Sequence, residues 1–535
     1  MKKALIILAA SMAMSGLSAM ADDFKYDVIP MPKTISMAEK GHFQINAKTV
    51  ITCQDSSLMK DAAFLAEFIQ EETGQRPEIK EGGQCRNSID INIDKNLDPE
   101  GYRMEIGKNG VRISAGAPAG AFYAAQTLRK SLAVTKELPA ATIEDAPEFH
   151  YRGAHFDVSR HFFTVDEVKT YLDMMALHNM NTFHWHLTDD QGWRIEIKKY
   201  PRLHEIGSVR KETLVGHAHA KPHVYDGKPY GGYYTQDQIL DVIKYAAERH
   251  IEIIPEIDLP GHMMAALAAY PELGCTGGPY EVWTKWGISK DVLCAGNPLI
   301  YEFLDNIMKE VVALFPSKYI HIGGDECPKD SWKKCPKCQA EAEKLGLTDD
   351  EIGTKEQKLQ NHIMKHVADY LANYGRSVIG WDEILEGGIG REAVIMSWRG
   401  VKGGITAAKA GNLVIMAPNT HMYLNHYQSN MLFEPLAHGR VASLEWVYSF
   451  NPIPDVLTPE EAKKVLGIQG NVWTEYLPTY QLVEYMAYPR ASAVAEIGWS
   501  QPENRNWKDY LKRLQIQFER WRYYQVNCAL HYKLP

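Results

Sequence analysis

Short runs of alternating apolar and polar residues characterise the first part of the chain, as expected for a sheet with one covered face. They lie at 89–93, 102–106 and 111–113, and two longer stretches with helical spacing lie at 58–73 and 117–132. The pattern predicts a small α+β domain.

A linker is expected after this domain. Residues 138–147 contain two prolines and three alanines, which is typical of a connecting segment. We therefore place the N-terminal domain at residues 22–147.

From residue 152 onward, short apolar strands alternate with helix-length segments. The predicted strands are 153–158, 182–187, 252–257, 319–322, 377–381, 393–398, 413–417 and 466–472. The predicted helices include 164–179, 235–250, 298–314, 356–374, 402–411 and 479–496. Eight such units predict an α/β fold, a (β/α)8 TIM barrel over residues 148–500. Residues 501–535 would add a C-terminal helix, 507–524, packed on the barrel.

Composition and charge narrow the class of protein. The 535 residues are 45% hydrophobic and 23% charged, which excludes a disordered or collagen-like chain. Lys and Arg number 58 against 67 Asp and Glu, a net charge of −9. This mild acidity argues against nucleic acid or an anionic membrane as a partner.

The first 21 residues have the pattern of a secretory signal peptide. Lys2 and Lys3 precede an apolar stretch, and Ala19-Met20-Ala21 supplies small residues before a cleavage point. Met20 stands where a lipoprotein would need a cysteine. The sequence therefore predicts an exported protein, periplasmic or secreted, without a membrane anchor.

Export to an oxidising compartment makes the eight cysteines candidates for disulfides. Cys275 and Cys294 flank a loop rich in Gly and Trp and are the predicted pair. Cys335 and Cys338 form a C-x-x-C motif close to Cys327, which suggests zinc as an alternative. No second ligand pair at zinc spacing follows them, so a metal is not expected there, and no cofactor is expected elsewhere.

In a TIM barrel the chemistry lies at the carboxyl ends of the strands, and the predicted strand ends are rich in acids and aromatic residues. They carry Asp157, Arg160, His184, His186, Asp189, Asp190, Glu256, Asp258, His262, Asp325, Glu326, Trp381, Asp382, Glu383, Trp398, Tyr423, Tyr427, Trp473 and Glu475. Single tryptophans at such positions are often core residues. Gathered at one face, they form flat apolar walls that suit a sugar ring, with the acids and Arg160 placed for its hydroxyls.

The segment His321-Ile-Gly-Gly-Asp-Glu326 is the sharpest local motif. Two glycines allow a tight turn, so both carboxylates can enter one pocket. Two acids held close together cannot both ionise freely, and one becomes available as a general acid. A turn followed by a helix cap would also explain the Gly-Gly-Asp-Glu part of this motif.

Six ordered motifs resemble those of the β-N-acetylhexosaminidases of glycoside hydrolase family 20, over essentially the whole mature chain. They are Arg152-Gly-Ala-His-Phe-Asp-Val-Ser-Arg-His161, His184-Trp-His-Leu-Thr-Asp-Asp-Gln191, Asp258-Leu-Pro-Gly-His262, His321-Ile-Gly-Gly-Asp-Glu326, Gly380-Trp-Asp-Glu383 and Asn471-Val-Trp-Thr-Glu475. The resemblance implies an exo-acting retaining enzyme that removes terminal non-reducing β-linked N-acetylglucosamine, and also N-acetylgalactosamine, from an oligosaccharide or glycoconjugate.

The resemblance also implies substrate-assisted catalysis, in which the acetamido oxygen of the sugar is the nucleophile and an oxazolinium ion forms. Glu326 would protonate the glycosidic oxygen and then activate water. Asp325 would orient the acetamido N–H and stabilise its developing positive charge. Tyr423 would donate a hydrogen bond to the acetamido oxygen.

Further roles are implied in the same way. Arg160 would hold the O3 and O4 hydroxyls and Glu475 would accept from O4 and O6, which closes the pocket to a longer chain. Asp189 and His262 would support Glu326. Three tryptophans would enclose the sugar: Trp381, Trp398 and Trp473.

One position departs from the family pattern. After Tyr423 the family usually has Leu or Phe and then Asp, whereas this chain has Leu424 and Asn425. Asn425 keeps an acceptor but lacks the charge. The preference between glucosamine and galactosamine is therefore left open.

Three alternatives remain. A metal-dependent barrel hydrolase could use the ligand set His184, His186, Asp258, His262 and Asp325. A sugar-binding protein could keep the fold without catalysis, and a lacto-N-biosidase of the same family could release a disaccharide. The loop at 203–234 could shape the leaving-group side of the pocket or be a surface excursion. The natural glycan and the oligomeric state are not encoded in any motif.

Overall fold

The computed structural model describes residues 24–83 and 85–533. The predicted signal peptide at 1–21 lies outside the described residues. No helix in the described part of the chain is long and apolar enough to span a membrane.

The N-terminal domain is a seven-stranded mixed sheet packed against two helices, which confirms the α+β prediction. The helices are Met59–Thr73 and Pro118–Leu132. The strands follow the spatial order Thr34–Gln44, Glu137–Asp145, Tyr102–Gly107, Gly110–Ala115, Ser88–Ile93, Val50–Cys53 and Glu78–Glu81.

The predicted linker is wrong. Glu137–Asp145 is an inner strand, antiparallel to both Thr34–Gln44 and Tyr102–Gly107. Pro139 lies opposite His42, just past a register shift in the neighbouring strand. Because proline is tolerated at such irregularities, it does not end the strand.

The second domain is a closed barrel of eight parallel strands, so the predicted fold class is confirmed. All eight predicted strands are present, as Tyr151–Asp157, Thr182–His186, Glu252–Leu259, Tyr319–Gly323, Ser377–Trp381, Val394–Ser397, Val414–Met416 and Val465–Val472. The first strand pairs with both the second and the eighth, which closes the barrel.

Helices surround the barrel, with two departures from the predicted pattern. Within the described residues, only a 3-10 turn, Asp382–Leu385, separates the fifth strand from the sixth. The predicted helix at 479–496 is two helices that meet near Pro489. The long helices are Val165–Leu177, Gln236–Ala247, Leu299–Leu314, Lys355–Ala372, Lys402–Ala410, Tyr480–Ala487, Arg490–Trp499 and Trp507–Tyr523.

Short elements occupy the loops. The helices in these loops are Arg202–Glu205, Met264–Ala269, Asp330–Lys334, Pro336–Lys344, Leu444–Tyr448 and Pro459–Ala462. The short paired strands are Thr188–Asp189 with Gly192–Trp193, Val209–Arg210 with Tyr230–Gly231, Leu214–Val215 with Val224–Tyr225, and His426–Tyr427 with His438–Val441.

The two domains share a buried junction. The Trp499 ring lies 4.9 Å from that of Tyr123, and its indole N–H donates to Asp145 at 3.1 Å. Arg152, at the start of the barrel, forms an ion pair with Glu100 of the N-terminal domain at 2.8 Å. These contacts fix the N-terminal domain against the barrel.

The predicted disulfide between Cys275 and Cys294 is also wrong, since all eight cysteines in the described residues are free thiols. The sulfur atoms of Cys275, Cys294, Cys335 and Cys338 instead lie within 4.8 Å of one another. The second cysteine pair that the C-x-x-C motif lacked comes before it in the chain, on the preceding barrel loop.

Candidate active site

The end of the fourth barrel strand presents two acids to one pocket. Gly323 and Gly324 have φ angles of 64° and 100°, and Glu326 follows at 48°. A Cβ atom at Gly323 would lie 1.7 Å from the Asp258 carboxylate, so only glycine fits there. After this turn, Asp325 and Glu326 approach the same His262 nitrogen, Nε2, at 3.8 and 3.6 Å.

His262 connects the two acids to a deeper ion-pair chain. Its Nδ1 lies 3.1 Å from Asp189, whose other oxygen contacts Arg160 at 2.9 Å. Burial opposes protonation of His262, but Asp189 outweighs it and raises the pKa well above its usual value. Asp189 is only 1% exposed, so it reaches the pocket through His262 and Arg160.

Arg160 is held on several sides. Its Nε donates to Gln191 at 3.1 Å, and Nη1 contacts Asp157 at 3.4 Å. Arg210, from the loop at 203–234, donates to the Arg160 carbonyl at 2.8 Å. The role of Gln191 was not predicted, although it closes the His184–Gln191 motif.

The two acids differ in proton affinity. Burial raises the pKa of Asp325 to about 6, and the nearby carboxylates of Glu326, Glu256 and Asp189 add to that effect. Burial also acts on Glu326, but the nearby His262 imidazole, 3.6 Å away, outweighs it and lowers the pKa. In the unliganded protein the more basic carboxylate of the pair is therefore Asp325.

A second cluster of charged residues, centred on Glu256, lies beneath the pocket. The sequence did not predict this role for Glu256. The Glu256 carboxylate contacts His184 and His321, each at 3.0 Å, and His186 at 2.5 Å. Trp381 donates to it at 2.9 Å. Burial opposes ionisation, yet the three imidazoles hold its pKa well below the usual value.

These contacts bear on the metal alternative. The ligand atoms of Asp258, His262 and Asp325 lie within 4.8 Å of one another, as do those of His186, Asp189 and Asp258. However, both nitrogens of His186 face carboxylates, and Glu256 and Asp189 raise its pKa to about 10 despite its burial. A protonated imidazole has no lone pair for a metal, so this arrangement favours ion pairing.

Aromatic rings form the walls. Trp473 lies 4.9 Å from the Arg160 guanidinium and 6.2 Å from the Tyr423 ring. Trp398 stacks on Tyr423 with ring centres 6.1 Å apart. Trp381 exposes only 1% of its surface, so it lies deeper than the predicted pocket wall.

Trp398 is fixed by an acid that had no predicted role. Its indole N–H donates to Glu383 at 2.8 Å. Burial, together with Asp325, raises the pKa of Glu383 to about 8. Its position in the Gly380-Trp-Asp-Glu383 motif was the sequence feature that could have indicated this role.

Tyr423 is suited to donate a hydrogen bond. It pairs with Asn471 of the eighth strand, where Leu424 N donates to the Asn471 carbonyl at 2.7 Å. Burial and the neighbouring Asp325 raise the pKa of its phenol well above the usual value. The hydroxyl therefore stays protonated.

Three predicted site residues have buried oxygen atoms without a hydrogen-bond partner among the described residues: Asp325 Oδ1, Asn425 Oδ1 and Glu475 Oε2. Buried polar atoms are nearly always paired in folded proteins. Unpaired acceptors at one end of a barrel indicate a ligand that carries several hydrogen-bond donors.

Two cavities adjoin the site. One of about 210 Å³ lies beside Glu326 and is lined by Lys329, Gln360 and Arg399 among others. Another of about 380 Å³ lies beside Glu475 and includes residues 213–216. The loop at 203–234 thus borders the Glu475 side, and its predicted part in the leaving-group side stays a prediction.

Paired acids, aromatic walls and unpaired acceptors on a TIM barrel define a carbohydrate-active hydrolase.

Comparison with known proteins agrees with this class. The description "Glycosyl hydrolase family 20, catalytic domain" matches residues 149–502, and "Glycosyl hydrolase family 20, domain 2" matches residues 25–146. The chain therefore belongs to glycosyl hydrolase family 20, which confirms the predicted resemblance and makes it a glycoside hydrolase.

Individual relatives support this assignment. A beta-hexosaminidase of Porphyromonas gingivalis is 41% identical over 95% of this chain, which spans 65% of that protein's length. A Vibrio harveyi exo-beta-N-acetylglucosaminidase, solved with N-acetylglucosamine, has a TM-score of 0.82 at 32% identity, covering 95% of this chain and 78% of its own. A mutant Streptomyces plicatus beta-hexosaminidase with its product GlcNAc has a TM-score of 0.81 at 31% identity, covering 95% and 97%.

Proposed function

We propose that the protein is an exo-acting β-N-acetylhexosaminidase that removes terminal β-linked N-acetylglucosamine, and also N-acetylgalactosamine, from oligosaccharides or glycoconjugates. The observation that carries this proposal is the meeting of Asp325 and Glu326 at His262, with a buried Asp325 oxygen that has no partner among the described residues. Family membership supports the substrate class.

The proposed reaction is substrate-assisted. The acetamido oxygen attacks the anomeric carbon as the bond to the leaving oxygen breaks, and Glu326 donates its proton to that oxygen. Asp325 accepts the acetamido N–H and balances the charge of the oxazolinium ion. Glu326 then removes a proton from the water that opens this ring, so the product keeps the β configuration.

The protonation states set a condition for this chemistry. The productive form has Asp325 ionised and Glu326 protonated, whereas the unliganded pKa values favour the reverse. A bound sugar favours the productive form in two ways. It covers the Glu326 side chain, which is 37% exposed, and its N–H stabilises the Asp325 anion.

Exo-action rests on Arg160 and Glu475. Arg160 is anchored by Asp189, Asp157 and Gln191, which leaves guanidinium protons for sugar hydroxyls. Glu475 adds, near Arg160, a buried oxygen that finds no partner in the described part of the chain. Together these two residues oppose a further sugar beyond O4, which disfavours release of a disaccharide.

The decisive test is Glu326→Gln, assayed on N-acetylglucosaminides. Loss of a positioned general acid lowers kcat by about 10² to 10⁴-fold, most for poor leaving groups. Glu39→Gln, at an exposed position of the N-terminal sheet, is the matched control and retains full activity. A Glu326→Gln enzyme as fast as wild type would refute the assignment.

Substrate assistance has a separate test. The wild-type enzyme is expected to cleave an N-acetylglucosaminide and to leave the matching glucoside, which lacks the acetamido group, essentially intact. Comparable rates on both would rule out the oxazolinium route while leaving the role of Glu326 in place.

We also propose that the protein is exported, on the pattern of residues 1–21. Expression of the full chain followed by mass determination of the periplasmic or secreted product is expected to show removal of this segment. Full-length protein retained in the cytoplasm would contradict export without affecting the proposed reaction.

A further inference from the structure

We propose that Cys275, Cys294, Cys335 and Cys338 together bind one Zn²⁺ ion as a structural tetrathiolate site. Three pairs of their sulfur atoms are separated by 3.6 Å (Cys294 and Cys338), 3.8 Å (Cys275 and Cys338) and 3.8 Å (Cys294 and Cys335). All four sulfurs lie within 4.8 Å of one another.

These separations match a zinc tetrahedron. With Zn–S bonds of about 2.3 Å, the sulfurs of a tetrahedral site lie about 3.8 Å apart. A disulfide would bring two sulfurs to about 2.05 Å. Each of these three pairs is far outside a covalent bond, and Cys294 and Cys338 each have two such neighbours. The cluster is therefore arranged around a common centre.

Local structure places the first cysteine pair. Gly274 and Leu293 form an antiparallel bridge, and Cys294 N donates to the Leu273 carbonyl at 2.8 Å. Cys275 and Cys294 each follow a residue of this bridge, so their side chains emerge next to each other. The first pair is thus built by the loop after the third barrel strand.

The second pair belongs to the loop after the fourth strand. Cys335 precedes the helix Pro336–Lys344, and Cys338 lies in its first turn. Gly296 brings the two loops together, because a Cβ atom there would lie 2.1 Å from the Lys337 carbonyl. Its backbone N–H also interacts with the sulfurs of Cys294 and Cys338, as expected around bound thiolates.

Burial is consistent with a structural metal. Cys294 and Cys338 are fully buried and Cys335 is 6% exposed, whereas Cys275 is partly exposed and offers an entry route. Four protein ligands complete a tetrahedral zinc ion and leave no open position for water. The site is therefore expected to stabilise the fold and not to take part in the hydrolysis.

The site lies on the two loops that carry the catalytic groups. The loop after the third strand carries His262 near its start, and the loop after the fourth carries Asp325 and Glu326 near its start. They touch where a Cβ atom at Gly261 would lie 3.0 Å from the Cys327 Cα. Trp332 adds a hydrogen bond to the Leu293 carbonyl at 2.8 Å. By joining these two loops, a zinc ion would fix the position of His262 relative to Glu326.

The first experiment uses the wild-type full chain, purified without added metal. Elemental analysis and native mass spectrometry are expected to show one zinc per chain. Mass spectrometry after denaturation and acidification is expected to give the mass of the fully reduced cluster. Protein loaded with Co²⁺ is expected to show the absorption bands of tetrahedral cobalt thiolate.

The variant Cys338→Ser tests the ligand set. It is expected to lose most of its bound zinc and to melt at a lower temperature than wild type. Cys528→Ser, at a partly exposed thiol outside the cluster, is the matched control and should retain its zinc. If the first variant does not fold, the wild-type metal content still decides the proposal.

Two results would overturn the inference. The first is wild-type protein that contains no stoichiometric zinc. The second is a denatured mass lower by the two hydrogens that each disulfide removes, with disulfide-linked peptides joining these four cysteines. Neither result depends on catalytic activity, so the proposed function can stand or fall separately.

Discussion

This protein has two buried clusters of charged residues, and they differ in how completely their charged atoms are paired. At the domain junction, Arg513 contacts both oxygens of Glu496, at 2.5 and 2.7 Å. The Tyr448 hydroxyl and the Met31 N–H also donate to Glu496, at 3.0 and 3.2 Å. Asp509 accepts a hydrogen bond from Arg513 Nε at 2.7 Å. Every charged atom of Arg513 and Glu496 has a partner.

The barrel mouth also has buried charges, but their pairing is incomplete. Asp189 joins Arg160 to His262, yet Asp325 Oδ1 and Glu475 Oε2 find no partner among the described residues. The difference shows that buried charge by itself does not mark a functional site. Unpaired acceptors beside a charge network do, because a ligand must complete them.

The largest effect is expected at the junction. Glu496→Gln leaves Arg513 buried without its main counterion, and breaking such a pair costs about 3–5 kcal/mol of stability. Denaturant unfolding measures this loss, while kcat of the folded variant stays at the wild-type value. A variant as stable as wild type would show that Asp509 alone can balance Arg513.

The next largest effect is expected at the mouth and is catalytic. Asp325→Asn removes the anion that we propose stabilises developing charge, and kcat is expected to fall by about 10² to 10³-fold. Its melting temperature is not expected to fall at pH 7. The pKa of Asp325 is raised to about 6 when folded, so stability falls as the pH rises towards 6. At pH 7 this cost is fully present, and Asn relieves it. A variant that unfolds readily would assign Asp325 a structural role.

The same contrast explains what the sequence could predict. The eight barrel strands are short apolar runs with clear boundaries, and their ends, such as Asp325 after Gly324, follow directly from the barrel topology. The tight turn at Gly323 was also visible, because its two glycines precede two acids. Local pattern was sufficient for these features.

Other features depend on contacts between distant segments. Pro139 suggested a linker, although a register shift in the neighbouring strand accommodates it. Cys275 and Cys294 suggested a disulfide because they flank one loop, whereas their contact with Cys335 and Cys338 joins two different loops. The role of Glu256 could not be predicted, because it depends on three imidazoles that two neighbouring strands supply. The relative proton affinities of Asp325 and Glu326 likewise depend on His262, which is far away in sequence.

The pH dependence sharpens the comparison further. The proposed mechanism requires one proton on the coupled pair of Asp325 and Glu326. That state exists between the lowered pKa of Glu326 and the pKa of about 6 at Asp325. We therefore expect kcat/KM to be highest on the acidic side of pH 6 and to fall as the pH rises through about 6.

Asp325→Asn provides the control for this profile. Only Glu326 then titrates, with a pKa lowered by His262, so the remaining activity is expected to decline at a lower pH than in wild type. An unchanged basic limb would assign it to a group outside the pair.

The smallest effect is expected at Asn425, the third unpaired acceptor. Asn425→Asp supplies a charged acceptor, and charged hydrogen bonds exceed neutral ones by about 1 kcal/mol. We expect kcat/KM to rise about fivefold for the epimer whose hydroxyl reaches residue 425. The ratio of rates on N-acetylglucosaminide and N-acetylgalactosaminide would then shift by the same factor. Asn425→Ala removes the acceptor and is expected to shift this ratio the opposite way, because a sugar hydroxyl that loses its only protein partner in a dry pocket is left unpaired. Equal ratios in all three proteins would mean that the unpaired oxygen of Asn425 does not read the O4 position.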